Sequence, residues 1–195
     1  MGDLKSGQII AIGASLGGTR ALESLLNRMP PDTAPIVVVQ HTLPGFTEPY
    51  VRQLDEECPM RVLEAGDGYP IHRGTVYVAP GGCHLLVERR GDELRTVLAT
   101  TAAVGFHRPS VDVLFNSLAA LSGVDVVAVL LTGMGRDGAE GMLALRRAGA
   151  QTIAQDRESS VVFGMAREAI DRGAVQYISS LNNLPDRILF CLGNS

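Results

Sequence analysis

A short glycine-rich segment at residues 13–18, GASLGG, contains a serine in a setting that suits nucleophilic catalysis. It matches the pattern G-x-S-x-G, in which small residues allow a sharp turn between a strand and a helix and leave the serine hydroxyl exposed. Backbone N–H groups at the start of the following helix face the same space and could bind an oxyanion. In this geometry the residue after the nucleophile, Leu16, supplies one such donor. The segment therefore suggests Ser15 as the nucleophile of a serine hydrolase.

The same segment has two other interpretations. A strand, a glycine-rich turn and a helix also open a dinucleotide-binding fold, which would make the chain a nucleotide-binding oxidoreductase. That fold prefers an acidic residue at the end of its second strand, where this chain has Gln40 and His41. In the other interpretation, Ser15 merely caps the helix.

Two further residues complete the set that a serine hydrolase needs. His41 follows the apolar run at 36–40 and could take the serine proton as a general base, or it could be a surface or capping histidine. Asp137 lies in the glycine-rich segment 132–138, TGMGRDG, and could orient the imidazole and stabilise its charged form. Asp137 could instead cap the helix that follows.

The elements that must position these residues alternate between strands and helices. Short β-branched runs at 8–13, 36–40 and 125–132 predict buried strands. Helices are predicted at 19–29, 45–57, 138–148, 161–172 and 184–192, and extended segments at 151–154 and 175–179. This alternation predicts an α/β fold: a doubly wound, mostly parallel sheet with helices on both faces.

Ser15, His41 and Asp137 each follow one of the three predicted strands. Ligands of open α/β sheets bind outside the carboxyl ends of the strands, and neighbouring strands lie ~5 Å apart. The three residues are therefore predicted to meet as a catalytic triad. Their order along the chain is Ser, His, Asp, whereas α/β-hydrolases have Ser, acid, His. The predicted triad thus belongs to a doubly wound sheet outside the standard hydrolase fold.

The middle of the chain has a different pattern. Residues 75–79, 84–88 and 94–100 are extended runs joined by glycine-containing turns, which predict an antiparallel β excursion. No linker or repeat divides the chain, and 195 residues suit one substantial domain. We therefore expect a single domain over residues 1–195, with its core at about 8–192.

Composition excludes several classes of protein. The chain is 46% hydrophobic and has a net charge of −4 with scattered lysines and arginines, which argues against disorder and against a nucleic-acid partner. Its three cysteines, Cys58, Cys83 and Cys191, are an odd number without paired spacing, which suggests a reducing compartment. No signal peptide or membrane span is visible, so we expect a cytoplasmic protein without direct membrane insertion.

Six blocks of sequence, taken together, resemble the catalytic domain of the chemotaxis protein-glutamate methylesterase family, CheB. The blocks are GASLGG at 13–18, VVQH at 38–41, VAPGGCHLLV at 78–87, RPSVDVLF at 108–115, LLTGMGRDGAEG at 130–141 and TIAQDRESSVVFGM at 152–165. The resemblance covers about residues 8–192.

The resemblance implies a function and a site. The family's triad corresponds to Ser15, His41 and Asp137, and the loop around Met134 corresponds to the place of a backbone contribution to the oxyanion hole. The implied reactions are hydrolysis of glutamate γ-methyl esters on the cytoplasmic helices of chemoreceptors, which releases methanol, and deamidation of specific receptor glutamines. Neither reaction requires a cofactor or a metal. His107, Arg108, and Asp112 lie in or beside a matching block, either as part of the cleft wall or as surface pairs.

The chain departs from the family's usual pattern at several points. Leu16 replaces the usual threonine after the nucleophile, and Ala166 replaces a common proline. The family's usual N-terminal receiver domain is absent from this sequence, so we expect either a stand-alone enzyme or an excised domain, with a separate receiver or kinase as a possible partner. The main alternative is a catalytically idle CheB-like binding module; the oxidoreductase is a more distant one.

Overall fold

A computed structural model describes residues 7–193, which form a seven-stranded sheet with helices on both faces and a separate two-stranded sheet. The elements in chain order are β1 (Gln8–Ala14), α1 (Gly18–Leu26), β2 (Ile36–Gln40), α2 (Thr47–Glu57), β3 (Arg61–Glu64), β4 (Thr75–Val78), β5 (His84–Arg90), β6 (Glu93–Ala99), α3 (Val111–Ala119), β7 (Asp125–Leu130), α4 (Ala139–Arg147), β8 (Gln151–Gln155), α5 (Met165–Asp171), β9 (Tyr177–Ser179), a 3₁₀ helix (Leu181–Asn183) and α6 (Leu184–Gly193).

The large sheet has the strand order β3-β4-β2-β1-β7-β8-β9, and its neighbouring strands pair in parallel. The central strand, β1, is buried at all seven positions, as its apolar sequence QIIAIGA predicts for a strand covered on both faces. Ala14 of β1 is in register with Gln40 of β2, and Gly13 with Leu130 of β7. The residues that follow these three strands therefore emerge side by side at one edge of the sheet.

Alternate residues of β1 face two separate cores, because successive side chains of a strand point to opposite faces. Ile10 and Ile12 pack in a core with α1, α2 and α6. Ile9 and Ala11 pack in a second core with α3, α4, α5 and the β5–β6 sheet. The arrangement confirms the predicted doubly wound α/β fold, in which helices cover both faces of the sheet.

The predicted antiparallel excursion is only partly correct. β5 and β6 do form an antiparallel pair. The segment 75–79 does not belong with them, because β4 pairs in parallel with β2 on one side and with β3 on the other. Local sequence does not distinguish these outcomes: TVYV suits any buried strand, and its partners lie more than ten residues away along the chain.

Sequence reasoning missed β3, α3 and the short 3₁₀ helix. β3 is a four-residue edge strand with charged residues at both ends, too short to show a period. α3 places Val111, Leu114, Phe115 and Leu118 in the core, a spacing that is helical. Ser110 caps its N-terminus by accepting a hydrogen bond from the N–H of Val113.

None of the helices within residues 7–193 combines the length and the apolar character needed to span a membrane.

Candidate active site

Ser15 directly follows β1, in a turn that its backbone holds from several sides. Its N–H donates to the carbonyl of Thr132 (3.0 Å), and its own carbonyl accepts from the N–H of Gly18 (2.8 Å) and from Nε2 of Gln40 (2.9 Å). Gly17, with φ of 82°, is the N-cap residue of α1 and allows the sharp turn. Because Gly17 occupies the cap position and no side chain caps this helix, the helix-capping interpretation of Ser15 is wrong.

The structure brings Ser15, His41 and Asp137 together. Oγ of Ser15 lies 3.1 Å from Nδ1 of His41, and Nε2 of His41 lies 2.7 Å from Oδ2 of Asp137. The three residues follow β1, β2 and β7, which are adjacent in the sheet, although 96 positions separate His41 from Asp137 along the chain. The arrangement has the geometry of a nucleophile, a base and a group that orients the base.

The hydrogen bonds assign different roles to the two nitrogens of His41. The carboxylate of Asp137 can only accept hydrogen bonds, so Nε2 of His41 carries the hydrogen and donates a hydrogen bond to Oδ2. Nδ1 then has a free lone pair directed at the hydroxyl of Ser15. His41 is therefore in the tautomer that can take the serine proton.

The carboxylate of Asp137 is buried and receives four hydrogen bonds. Besides the bond from His41, Oδ2 accepts from the N–H of Val111 (2.7 Å), and Oδ1 accepts from Oγ of Ser110 (2.8 Å) and the N–H of Asp112 (3.0 Å). Burial alone would raise the pKa of Asp137, but the bonds from His41, the two N–H groups and Ser110 outweigh it and lower the pKa below its usual value. The positive end of the α3 dipole acts in the same direction.

Asp137 does not cap the helix that follows it, since Gly138 is the N-cap residue of α4. Its carboxylate lies instead at the start of α3, from a different part of the chain. Ser110, which sequence reasoning missed, connects the two: it caps α3 and donates to Asp137. The pair Pro109-Ser110 ahead of helically spaced apolar residues is the signal that could have revealed this helix start.

His107 stacks on His41. The ring centroids of His107 and His41 are 3.7 Å apart, and the ring planes are inclined by only 11°. Burial and the nearby His41 lower the pKa of His107, and the more weakly acting Asp137 opposes them. His107 thus covers one face of the His41 ring, and its surroundings favour the neutral form of its imidazole.

Arg108 and Asp112, which lie in the block at 108–115, have different surroundings. Arg108 donates from Nη1 to the carbonyls of Thr100 and Thr101, which keeps its guanidinium on the surface. Asp112 lines the same cleft as Ser15 and His41, and its carboxylate accepts a hydrogen bond from the N–H of Gly141 (2.7 Å). Burial raises the pKa of Asp112 to about 6, with a further contribution from the nearby Asp137 charge and partial compensation by the Gly141 bond.

Leu16 and Met134, the two candidates for the oxyanion hole, both line the cleft beside Ser15. The carbonyl of Leu16 accepts a hydrogen bond from Oγ1 of Thr132 (3.0 Å), which holds this peptide against the Met134 loop. The loop passes very close to Ser15, because a Cβ added to Gly133 would lie 2.7 Å from Cβ of Ser15. Among the described residues, neither the N–H of Leu16 nor that of Met134 has a hydrogen-bond partner. Both N–H groups are therefore available as donors.

Ser15 and His41 lie in a cleft of about 1470 Å³. Small-molecule sites usually have ~300–1,000 Å³, so the cleft is large enough for a segment of a macromolecule. Its walls combine exposed apolar side chains with the charged residues Arg136, Glu140, Arg167, Glu168 and Arg172.

Within residues 7–193, no group of three or more histidine, cysteine, aspartate or glutamate side chains is arranged to hold a metal ion. At the end of β2, where a dinucleotide fold would use a carboxylate, Gln40 donates to the carbonyls of Ser15 and His41. This amide supports the serine turn and does not provide the acidic group that a ribose would need.

Comparisons with known proteins give one consistent family. A family model described as CheB methylesterase matches residues 10–188. A protein-glutamate methylesterase/protein-glutamine glutaminase from Sulfurimonas denitrificans is 50% identical over 181 residues, which are 93% of this chain and 51% of that protein. One of the same name, of the group 3 operon of Bradyrhizobium diazoefficiens, is 47% identical over 182 residues, 93% of this chain and 50% of that protein. The chain thus spans about half the length of the curated relatives it matches.

A solved structure agrees with the sequence relatives. The crystal structure of the Thermotoga maritima CheB methylesterase catalytic domain superposes with a TM-score of 0.92 at 36% sequence identity, and the match covers 95% of this chain and 99% of that one. The chain belongs to the CheB methylesterase family.

Proposed function

We propose that this chain is a serine hydrolase that removes methyl groups from glutamate γ-methyl esters of chemoreceptors and deamidates specific receptor glutamines. The observation that carries the proposal is the continuous contact from Oγ of Ser15 through His41 to the ionised carboxylate of Asp137. The names of the relatives, which combine methylesterase and glutaminase, support the choice of substrates.

In the first half of the proposed reaction, Oγ of Ser15 attacks the ester carbonyl while Nδ1 of His41 takes the hydroxyl proton. The negative charge of Asp137 stabilises the imidazolium that forms. The carbonyl oxygen becomes an oxyanion, for which the N–H groups of Leu16 and Met134 are the candidate donors. The C–O bond to the methoxy group then breaks, His41 returns the proton to that oxygen, and methanol leaves. The glutamate side chain remains as an acyl ester of Ser15.

In the second half, water attacks the acyl ester and gives a proton to His41. The bond between the acyl carbon and Oγ of Ser15 breaks, and His41 returns the proton to Oγ. The products are free serine and the receptor glutamate. For a glutamine substrate the same steps release ammonia in place of methanol. All protons move between groups that the chain or water supplies, so neither reaction needs a metal or an organic cofactor.

The proposal extends to the cellular compartment in which the protein acts and to the partner that regulates it. Receptor methyl esters on cytoplasmic helices would place the enzyme in the cytoplasm. Residues 1–195 would act as one catalytic domain, and a receiver or kinase on another polypeptide or segment would be the partner that regulates it.

The experiment is methanol release from a methylated receptor fragment. Wild-type protein should release methanol, and Ser15→Ala protein should not, at equal folded concentration. Ser122→Ala is a matched control, since Ser122 is an exposed serine in a turn outside the cleft. Equal release by wild-type and Ser15→Ala proteins would refute the proposed function.

A further inference from the structure

A two-residue hairpin projects beside the catalytic-site histidine. Val104 and His107 exchange both backbone hydrogen bonds, at 2.9 and 3.0 Å, and Gly105 and Phe106 form the turn. Both turn residues have positive φ, 55° at Gly105 and 72° at Phe106. Such turns usually hold asparagine, aspartate or glycine, because other side chains are strained in the left-handed region.

Phe106 is an unusual residue for this position. Among the described residues it is the one non-glycine residue with positive φ, and its side chain is fully exposed. An exposed ring makes no contribution to the hydrophobic core, and glycine would avoid the strain. A phenylalanine at this position therefore does not stabilise the domain, so its ring is expected to have a role other than folding.

The location of Phe106 supports such a role. Its ring lines the same cleft as Ser15, while the neighbouring His107 stacks on His41. Leu16 and Met134, also exposed, line that cleft from the Ser15 side. An ester bound at Ser15 would therefore be surrounded by apolar side chains. The cleft around it is large enough to hold a segment of a protein substrate.

We propose that Phe106 is a substrate-specificity residue: its ring packs on an apolar side chain of the protein segment that carries the ester, so that protein substrates are preferred over small esters. The inference rests on the proposed function. It adds that recognition extends beyond the esterified side chain and reaches the hairpin tip.

The test compares two substrates, a methylated receptor fragment and p-nitrophenyl acetate. For Phe106→Ala, the ratio of kcat/KM on the fragment to kcat/KM on the small ester should fall about tenfold, mainly through KM, as for the loss of an aromatic anchor at an interface. Phe106→Gly should show the same fall together with a higher Tm, because it also relieves the strain. Phe106→Leu, which keeps an apolar contact, should restore most of the ratio.

Phe190→Ala is the matched control, since Phe190 is an exposed phenylalanine on α6 that does not line the cleft, and its ratio should equal that of wild type. An unchanged ratio in Phe106→Ala would overturn the inference. An equal fall on both substrates would also overturn it, because the hairpin would then act only through His107. If wild-type protein hydrolysed neither substrate, the proposed function itself would fail, which is a distinguishable result.

Discussion

The imidazole of His107 stacks almost parallel on that of His41, with 3.7 Å between the ring centroids. The contact covers one face of the ring that accepts the proton of Ser15 in the proposed reaction, while Asp137 accepts a hydrogen bond from Nε2. A stacked ring on its face and a hydrogen bond at Nε2 are expected to restrict rotation of the His41 side chain. We therefore predict that His107 positions His41 for the proposed reaction.

His107→Ala should lower kcat on a small ester by about tenfold, because stacked aromatic pairs contribute ~0.5–1.5 kcal/mol and the His41 ring would lose its orientation. His107→Phe keeps a flat ring against His41 and should retain most of the turnover. Stopped-flow hydrolysis of p-nitrophenyl acetate measures both variants, with His72→Ala as a control at an exposed histidine. Equal losses in the alanine and phenylalanine variants would contradict a stacking role.

Asp137→Asn should lose turnover and stability together. Each carboxylate oxygen accepts a bond from a backbone N–H, that of Val111 or that of Asp112, so in either orientation the amide nitrogen of asparagine would leave one of these N–H groups unsatisfied. One unsatisfied buried group costs ~1–3 kcal/mol, and the wrong tautomer of the base costs roughly 10⁴-fold in kcat in a comparable triad. Urea unfolding and ester hydrolysis measure the two effects, with the exposed Asp92→Asn as a control. A fully active Asp137→Asn enzyme would refute the assigned role.

Asp112 should make the stability of the domain depend on pH. Its pKa is raised from 3.8 to about 6 by burial, so the folded state binds more protons than the unfolded state between these values. The contribution of Asp112 to the free energy of unfolding should therefore fall as pH rises from 4.5 to 7. Asp112→Asn lacks this penalty and can still accept the bond from the N–H of Gly141.

The measurement for Asp112 is urea unfolding of both proteins at pH 4.5 and pH 7. The free energy of unfolding of Asp112→Asn, minus that of wild type, should be larger at pH 7 than at pH 4.5. A difference that does not change with pH, or that changes in the opposite direction, would contradict the raised pKa.

Leu16 tests the oxyanion hole through its backbone. Leu16→Thr restores the residue usual in the family but leaves the N–H in place, so turnover should change by less than about tenfold, or roughly 1.4 kcal/mol. Leu16→Pro removes the N–H, and loss of one such donor costs ~10²–10³ in kcat in a comparable hydrolase. Circular dichroism establishes that both variants are folded. Wild-type turnover in a folded proline variant would leave the Met134 loop as the source of the donor.

The sequence was informative about the strands that position the site. β1, β2 and β7 are continuous apolar runs, and their carboxyl ends have the glycine-rich or polar residues that a cleft needs. Since parallel strands end at a common edge, the meeting of Ser15, His41 and Asp137 could be predicted without knowing the full strand order. The predicted fold class is confirmed by the sheet and by the superposition on a solved relative.

Features that depend on pairing between distant segments could not be predicted. The prediction places β4 with the antiparallel strands, whereas its partners in the structure are β2 and β3. Nothing within TVYV specifies a parallel partner. The predicted helix at 161–172 begins only at Met165, because Phe163 forms a bridge with Gly133 of the β7–α4 loop. These contacts arise from tertiary packing, which overrides local helical spacing.

The surroundings of the site were the least predictable part. The turn at 104–110 folds back over the sheet edge, which brings His107 onto His41 and Ser110 onto Asp137. No spacing in the sequence relates these pairs. The contacts exist only because the fold places this loop and the start of α3 beside the ends of β2 and β7.

The most direct test of the account is the identification of the residue that reacts with a serine-directed fluorophosphonate. We predict stoichiometric labelling of wild-type protein at Ser15, located by peptide mass spectrometry, and parallel loss of methanol release from a methylated receptor fragment. His41→Ala protein should label at least 100-fold more slowly, because the hydroxyl then lacks its base, a group that contributes roughly 10²–10⁴-fold. Labelling at another serine with activity lost, or complete labelling of Ser15 with methanol release intact, would contradict the assignment of Ser15 as the nucleophile.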